Sequence, residues 1–146
     1  LFNLFGDFIM ALPNGSGGFQ IGDGNTSDPI FRVIPTPATA TATATLTAAQ
    51  TLSGILLGSP GTSAASYTLP TVSDLEAAYP SMSKTGTSFD LSVINVDGSS
   101  SGVITLVGGT GWSTVGLMTV AATAGTAQLF RARKTGDGAW SLYRVA

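Results

Sequence analysis

The chain has 146 residues and a formal net charge of −2, which is the size of one domain with a core of its own. Only 10% of the residues are charged, compared with about 25% in an ordinary soluble domain. This composition favours contact with other protein and offers no positive field for nucleic acid. The chain contains no cysteine and no histidine, which excludes disulfides, thiolate metal sites and the most common general base.

The segment LFNLFGDFIMAL, residues 1–12, is the most apolar part of the chain. A membrane-spanning helix needs about 20 apolar residues, and a signal peptide has a basic region that this segment lacks. Asn3, Gly6 and Asp7 fall on one side of a helical wheel, and apolar residues cover the rest. We predict a short apolar helix that packs either on its own domain or in a groove of a neighbouring subunit. Its expected anchors are Phe2, Phe5, Phe8 and Ile9.

Residues 13–37 have no sustained period of either 2 or 3.6 and contain several glycines and prolines, so they are predicted to be irregular. About 25 structureless residues would be unusual inside a compact domain. An extended segment of that length, at up to about 3.3 Å per residue, reaches many tens of ångströms. We therefore predict that residues 1–37 form an N-terminal arm that is held by partner proteins.

The sequence GGFQIGDGN, residues 17–25, lies within this arm. Its glycines have neither the spacing of a phosphate-binding loop nor that of a dinucleotide fingerprint. Four residues, Asp23, Asn25, Ser27 and Asp28, resemble the oxygen ligands of a calcium loop, but the turning glycine and the bidentate glutamate are missing. Because glycine allows close backbone approach, we expect Phe19 and Ile21 to be apolar anchors on a protein surface. We predict no metal and no cofactor.

A β body is predicted for residues 38–146. In the stretch ATATATATLT, residues 38–47, alanine and threonine alternate strictly, which indicates a strand with an alanine face and a threonine face. A low-complexity linker and an ice-binding threonine ladder are weaker alternatives. Turn sequences separate the further predicted strands. These strands are Leu52–Leu57, Ser66–Leu69, Ser88–Val96, Gly102–Val107, Ser113–Val120, Ala127–Lys134 and Ala139–Val145. This spacing predicts an all-β fold, a β-sandwich or jelly-roll-like body.

Two details of the body can be predicted more closely. One short helix is expected at Thr71–Tyr79, because Thr71 can cap it and Pro80 prevents its continuation. We expect three residues of this helix, Leu75, Ala78 and Tyr79, to close one end of the sandwich. In the strand Ser88–Val96, the residues Phe89, Leu91 and Val93 fill one face, and Ile94 and Val96 change phase. This change predicts a bulge or a strand that is buried on both sides.

Carboxylates are the remaining candidates for catalysis. Asp74 and Glu76 are two residues apart in the predicted helix and do not face each other, and most other aspartates lie in predicted turns. Two distant carboxylates can still meet in the fold as a glycosidase pair. Trp112 and Trp140 are expected in the core or at its rim, with sugar stacking as the alternative. We expect the protein not to be an enzyme.

Five blocks of the chain form a pattern: GGFQIGDGN, ATATATLTAAQTLSGILLGSP, SYTLPTVSDLEAAYP, SFDLSVINVDGSSSGVITLVGGTGWSTVG and FRARKTGDGAWSLYRV. Together these blocks resemble head decoration, or cement, proteins of tailed bacteriophages. The resemblance covers about residues 17–145 and consists of block order rather than a catalytic motif. The apolar segment at residues 1–12 departs from the family pattern.

The resemblance implies a trimeric β-sandwich on the outer surface of the capsid, with the major capsid protein and itself as partners and with neither nucleic acid nor membrane. It transfers no contact residue to this chain. Similar β modules occur in phage fibres and spikes, so a tail fibre or receptor-binding module is the alternative function. A carboxylate glycosidase is the third.

Overall fold

The computed structural model describes residues 33–97 and 99–146. In these ranges the chain forms ten strands, two short α-helices and one 3-10 helix. The strands are β1 (Ala38–Ala40), β2 (Ala44–Thr45), β3 (Ile55–Gly58), β4 (Ala65–Thr68), β5 (Ser88–Asn95), β6 (Ile104–Val107), β7 (Trp112–Val115), β8 (Thr119–Val120), β9 (Ala127–Gly136) and β10 (Ala139–Arg144). The helices are α1 (Ala48–Thr51), α2 (Val72–Ala78) and the 3-10 helix Pro80–Met82.

The strands form a six-stranded sheet in the order β1-β3-β5-β9-β10-β7 and a four-stranded sheet in the order β2-β4-β6-β8. From β1 to β9 each successive strand lies in the other sheet, so β1-β3-β5 and β2-β4-β6 run parallel. Parallel neighbouring strands need a crossover connection between them. In this fold each such connection includes a strand of the opposite sheet. β9 pairs antiparallel with β5 and β10, and β8 pairs antiparallel with β6. The prediction of a sheet-rich body is confirmed.

The two sheets share one hydrophobic core. Leu56 and Phe130 of the six-stranded sheet and Tyr67 and Ile104 of the four-stranded sheet are all fully buried in it. A Cβ atom at Gly58 would collide with Ile104 Cδ1 and would lie 3.0 Å from the Tyr67 ring. Glycine at position 58 therefore allows the sheets to approach closely.

The alternating alanine–threonine stretch is not one strand, and this prediction is wrong. Its residues form β1 and β2, which belong to different sheets, and Ala42 and Ala44 are exposed rather than buried. The Ala40 carbonyl accepts hydrogen bonds from the Tyr67 hydroxyl at 2.8 Å and from Ser59 N–H at 2.9 Å. The chain bends directly after these contacts. Alternation of small residues with a period of two thus indicates extended backbone. It does not indicate where the chain passes from one sheet to the other.

The predicted strand Leu52–Leu57 begins later, at Ile55, because a helical turn precedes it. In α1 the Thr47 hydroxyl accepts a hydrogen bond from Gln50 N–H at 3.1 Å, and Gln50 Oε1 accepts one from Thr47 N–H at 2.9 Å. This is a reciprocal capping box. Leu52 is the C-cap of α1 rather than a strand residue.

The predicted strand Ser113–Val120 is likewise divided into β7 and β8, which lie in different sheets. Gly116, with φ of +98°, lies between them. A Cβ atom at this glycine would lie 3.1 Å from Arg144 Cβ. Both the backbone conformation and the close neighbour favour glycine at the point where the chain leaves β7.

The predicted phase change in β5 is present, because Ile94 lies half-buried on the face opposite to Leu91 and Val93, but the predicted bulge is wrong, since the pairing of β5 with β9 has no register shift. Burial alternates without interruption through Leu91, Val93 and Asn95, and Ile94 lies on the opposite face. Asn95 continues the buried face because its amide donates hydrogen bonds to the Gly102 carbonyl at 2.8 Å and the Ala121 carbonyl at 2.9 Å. A buried amide with such partners can occupy a core position.

The predicted helix is confirmed as α2, with Thr71 as its N-cap. The Thr71 hydroxyl accepts a hydrogen bond from Asp74 N–H at 3.1 Å and donates one to Asp74 Oδ2 at 2.7 Å. Leu75 is buried as expected, but Ala78 and Tyr79 are exposed, so the prediction that they close the core is wrong. Val72, one turn before Leu75, is buried instead.

The remaining predicted strands agree with β4, β6, β9 and β10 to within two residues at each end. The predicted boundary between arm and body after residue 37 stays a prediction, and β1 begins at Ala38.

Candidate functional site

The predicted arm anchors lie outside the described residues, and so does the predicted helix at residues 1–12. These anchors are Phe2, Phe5, Phe8, Ile9, Phe19 and Ile21. The candidate site that the described residues form is a surface of the β body.

The side of the six-stranded sheet that faces away from the core carries a band of apolar side chains. In β3, Ile55 and Leu57 lie on the face opposite to the buried Leu56. Leu57 is paired with Ile94 of β5. Ser92 of β5 is paired with Ile55 on one side and with Leu129 of β9 on the other, so Leu129 lies in the same cross-strand row as Ile55. The four large side chains of this band are half-buried.

The band continues to the β7 edge of the sheet. Tyr143 of β10 is paired with Val115 of β7, which is 51% exposed. Val145, 50% exposed, directly follows β10, and its N–H donates a hydrogen bond to the Leu129 carbonyl at 2.9 Å. We call these side chains together the apolar face. Its members are Ile55, Leu57, Ile94, Val115, Leu129, Tyr143 and Val145.

An ion pair borders the apolar face. Asp90 of β5 is paired in register with Arg131 of β9, and Arg131 is paired with Tyr143. Arg131 Nε lies 2.7 Å from Asp90 Oδ1 and Arg131 Nη2 lies 2.9 Å from Oδ2. Hydrogen bonds and charge attraction from Asp90 raise the pKa of Arg131. This bidentate geometry fixes both side chains at the border.

The sequence contains a signal for the apolar face. Ile55, Leu56 and Leu57 are consecutive apolar residues, as are Val93 and Ile94. Since successive strand residues point to opposite faces, uninterrupted apolar runs in a strand place apolar side chains on both sides of a sheet.

The outer face of the four-stranded sheet has a different character. Ser66 of β4 is paired with Thr105 of β6, which is paired with Thr119 of β8. These three side chains, with Thr68, are half-buried and lie opposite the buried residues of their strands. The middle of this outer face therefore carries hydroxyls, and Val107, which is paired with Thr68 and is 39% exposed, adds one aliphatic side chain.

A buried charge cluster lies between α2 and the six-stranded sheet. Glu76 Oε1 accepts hydrogen bonds from Lys134 Nζ and, at 2.9 Å, from Trp140 Nε1. The side chain of Lys134 is 3% exposed and that of Glu76 is 24% exposed. The hydrogen bond from Lys134, followed by that from Trp140, lowers the pKa of Glu76. Asp74 points elsewhere, to Thr71, as its spacing from Glu76 predicts.

Glu76 and Asp137 line the same open pocket, whose volume is about 470 Å³. The hydroxyls of Thr71, Ser73 and Thr110 line it as well. The fold therefore brings two carboxylates from distant parts of the chain to one pocket.

The core interpretation of Trp140 is confirmed, because this side chain is 1% exposed. Its ring lies 5.6 Å from the ring of Phe89 and 5.8 Å from that of Trp112. Trp112 is half-buried, and its Nε1 donates a hydrogen bond to the Pro70 carbonyl at 2.8 Å.

Within residues 33–97 and 99–146, no group of three or more acidic residues is placed to hold a metal ion. In the same ranges no helix has both the length and the apolar character to cross a membrane. No family model, curated protein sequence or solved structure matches the chain.

Proposed function

We propose that this protein is a structural virion protein that decorates the outside of a tailed-phage head and stabilises contacts between capsid subunits. The observation that carries the proposal is the apolar face, a band of half-buried and exposed apolar side chains in a chain with only 10% charged residues. An apolar band bordered by polar side chains is typical of a protein–protein contact surface. The resemblance of the sequence blocks to decoration proteins selects the capsid as the setting.

The proposed body is a β-sandwich. Two sheets that share one core support this form. The proposed body differs from a Greek-key sandwich in its connections, because the chain passes to the other sheet after each strand from β1 to β8.

The proposed mechanism is multivalent binding. A shell under internal pressure is weakest where capsomers meet, and a homotrimer there contacts several copies of the major capsid protein at once through three N-terminal arms. Each arm contributes a modest contact, since fixing the backbone of a bound segment costs about 1 kcal/mol or more per residue. Linking three arms raises the overall avidity well above that of one. The mechanism needs neither a reaction nor a cofactor.

The test is to mix the purified full-length chain with undecorated heads and to sediment the mixture. We expect saturable binding at many copies per head and greater resistance of the decorated heads to heat. Binding of a few copies at the tail would support the fibre, spike or receptor-binding alternative instead.

One observation favours a second function. Glu76 and Asp137 line one pocket, and two carboxylates are the catalytic groups of most glycosidases. Turnover of host polysaccharide that is lost in both Glu76→Gln and Asp137→Asn would support a glycosidase. Equal release of sugar by the wild type and both variants would exclude it.

A further inference from the structure

We infer that the free edge of β7 is the place where an extended segment of the major capsid protein adds to the six-stranded sheet as a further strand. In this mode of recognition, backbone hydrogen bonds to an exposed sheet edge supply the affinity. The inference rests on the proposed function, which supplies the capsid as the partner. A strand of a sister copy and the N-terminal segment of the same chain are the other occupants, and the experiment distinguishes them.

The ladder between β10 and β7 fixes which residues of β7 face outward. The two strands are parallel and pair without a register shift. Trp140 N–H of β10 donates a hydrogen bond to the Gly111 carbonyl at 3.0 Å, so Gly111 faces β10. Since alternate residues of a paired strand direct their backbone groups to the same side, Ser113 also faces β10 and Thr114 faces away. Within the described ranges, no hydrogen bond reaches the N–H or C=O group of Thr114.

Two of the other sheet edges are closed by side-chain amides. In β1 the Ala40 carbonyl is bonded on the β3 side, so the Thr39 carbonyl points away, where it accepts a hydrogen bond from Gln50 Nε2 at 2.9 Å. Directly after β8, the Ala121 carbonyl accepts a hydrogen bond from the Asn95 amide at 2.9 Å on the side away from β6. Native proteins protect sheet edges in such ways because an unpaired edge recruits further strands.

The two remaining edges differ in length. β2 has two residues, fewer than the three or more, roughly, of an ordinary strand. β7 has four residues, WSTV, with no charge and no proline among them, and its last three residues are exposed. In the described part of the chain, β7 is therefore the one edge of ordinary strand length that carries none of the usual protections.

The side chains at this edge fit an apolar partner strand. Val115, a member of the apolar face, is 51% exposed, and Leu117, just beyond β7, is 63% exposed. An added strand would place one of its side chains beside Val115 on the outer side of the sheet, where cross-strand neighbours stabilise each other. The expected capsid segment is thus extended and carries an apolar residue at that position.

The edges of this chain argue against a sister copy as the occupant. With β1 and β8 capped and β2 short, a second copy offers only its own β7. Two β7 strands would pair about a two-fold axis, which does not produce the three-fold arrangement of the proposed homotrimer. Two four-residue strands also bury far less than the roughly 800 Å² per partner of a stable interface. A capsid subunit that the arms already hold needs only a small additional contact.

Hydrogen–deuterium exchange of the full-length chain tests the inference, first free and then on undecorated heads at saturation. In the free protein we expect the Thr114 amide to exchange fast and the amides of Ser113 and Val115, which face β10, to exchange slowly. On heads the Thr114 amide should exchange about tenfold more slowly or less, because it then donates to the added strand. The Ser113 and Val115 amides are the internal controls and should keep their rates.

Three exchange results would overturn the inference. Protection of the Thr114 amide in dilute, monomeric protein would identify a segment of the same chain as the occupant. Protection that appears in free protein as it associates would identify a sister copy. An unchanged Thr114 rate on heads that the protein saturates would show that the edge stays open, and the proposed function would stand without it.

A pair of proline variants checks the result by affinity. Thr114→Pro removes the outward N–H and leaves the ladder with β10, since an edge strand tolerates proline where its N–H faces solvent. Thr39→Pro is the matched control, an exposed, outward-facing threonine on the capped edge β1. With circular dichroism unchanged, Thr114→Pro should bind heads about tenfold more weakly, and Thr39→Pro should bind like the wild type.

Equal affinity of the wild type and both proline variants would overturn the inference alone. Failure of the wild type itself to bind heads would contradict the proposed function and the capsid segment at β7 together. The exchange measurement uses the wild type, so it decides the matter even where a proline variant does not fold.

Discussion

Glu76 of α2 and Lys134 of β9, 58 residues apart in the sequence, form an ion pair that joins the helix to the six-stranded sheet. Lys134 is the more buried partner, with 3% of its side chain exposed. Trp140 donates a hydrogen bond to the same carboxylate oxygen. A buried ammonium group depends on its counter-ion, because an unpaired charge in the core is strongly unfavourable.

We predict that Glu76→Gln lowers the free energy of unfolding by about 3 kcal/mol, the lower end of the range for breaking a buried pair. We expect a loss of stability at the lower end of this range because 24% of the Glu76 side chain is exposed to solvent. Urea denaturation measures the change. The control is Lys134→Met, which removes the buried charge and leaves Glu76 near water, so it should cost less. A larger loss in Lys134→Met than in Glu76→Gln would contradict this account of the pair.

The same pair predicts a pH dependence. Because its hydrogen bonds lower the pKa of Glu76 in the folded state, the unfolded chain binds a proton more readily than the folded chain does. The contribution of Glu76 to folding stability is therefore complete above the ordinary pKa of about 4.5. This contribution is lost as the pH falls through the lower pKa of the folded state. Urea midpoints between pH 7 and pH 3 measure it. Wild type should lose more stability than Glu76→Gln over this range, and parallel curves would exclude Glu76 as a source.

The buried amide of Asn95 gives a third prediction. Its amide nitrogen donates hydrogen bonds to the carbonyls of Gly102 and Ala121. The Thr126 hydroxyl has one proton, which the Ala121 carbonyl at 2.9 Å shares with the Thr123 carbonyl at 2.7 Å. Asn95→Leu therefore deprives both the Gly102 carbonyl and the Ala121 carbonyl of their amide donor. We expect a loss of about 1–3 kcal/mol in urea denaturation. The control is Ile94→Leu, on the opposite face, which should change stability by less than about 1.5 kcal/mol. An unchanged stability of Asn95→Leu would show that the amide does not support the core.

The close approach of the sheets gives a fourth prediction. Gly58→Ala places a Cβ atom against Ile104 Cδ1, and we expect a loss of about 1–3 kcal/mol from overpacking. Ile104→Val removes that Cδ1 atom. In the double variant the two losses should therefore be less than additive, because the contacts are shared. Thermal unfolding of the wild type, both single variants and the double variant forms the cycle, and strict additivity would contradict the collision.

Much of the fold can be predicted from the sequence, because its determinants are local. The cap at Thr71, the stop at Pro80 and the turn residues between strands each act within a few positions, and α2, β4, β6, β9 and β10 follow from them. Helix α1 was equally predictable, since Thr47 and Gln50 have the spacing of a capping box.

The points at which the chain passes from one sheet to the other could not be predicted from local sequence. The strand changes after Ala40 and Val115 depend on contacts with Tyr67 and Arg144, which are distant in the sequence. The position of Glu76 beside Lys134 also depends on how α2 packs on the sheet. The apolar face has a sequence signal in residues 55–57, but its extent is set by the order of β3, β5, β9, β10 and β7.

The role of residues 1–37 gives the fifth prediction. All core residues identified in the described ranges lie from Ala38 onwards, so a chain that lacks residues 1–37 should fold, with circular dichroism like that of the full chain. It should no longer stay on heads, because it lacks Phe2, Phe5, Phe8 and the other arm anchors. Sedimentation with heads measures this, and the full-length chain is the control. A truncated chain that unfolds would show that the segment belongs to the core.

Electron microscopy of heads saturated with the full-length protein tests the central claim most directly. The account predicts density for three copies of the chain wherever capsomers meet on the outer surface, with an arm from each copy reaching the major capsid protein. Heads with no added density, or with the protein confined to the tail, would contradict the proposal that this chain is a head decoration protein.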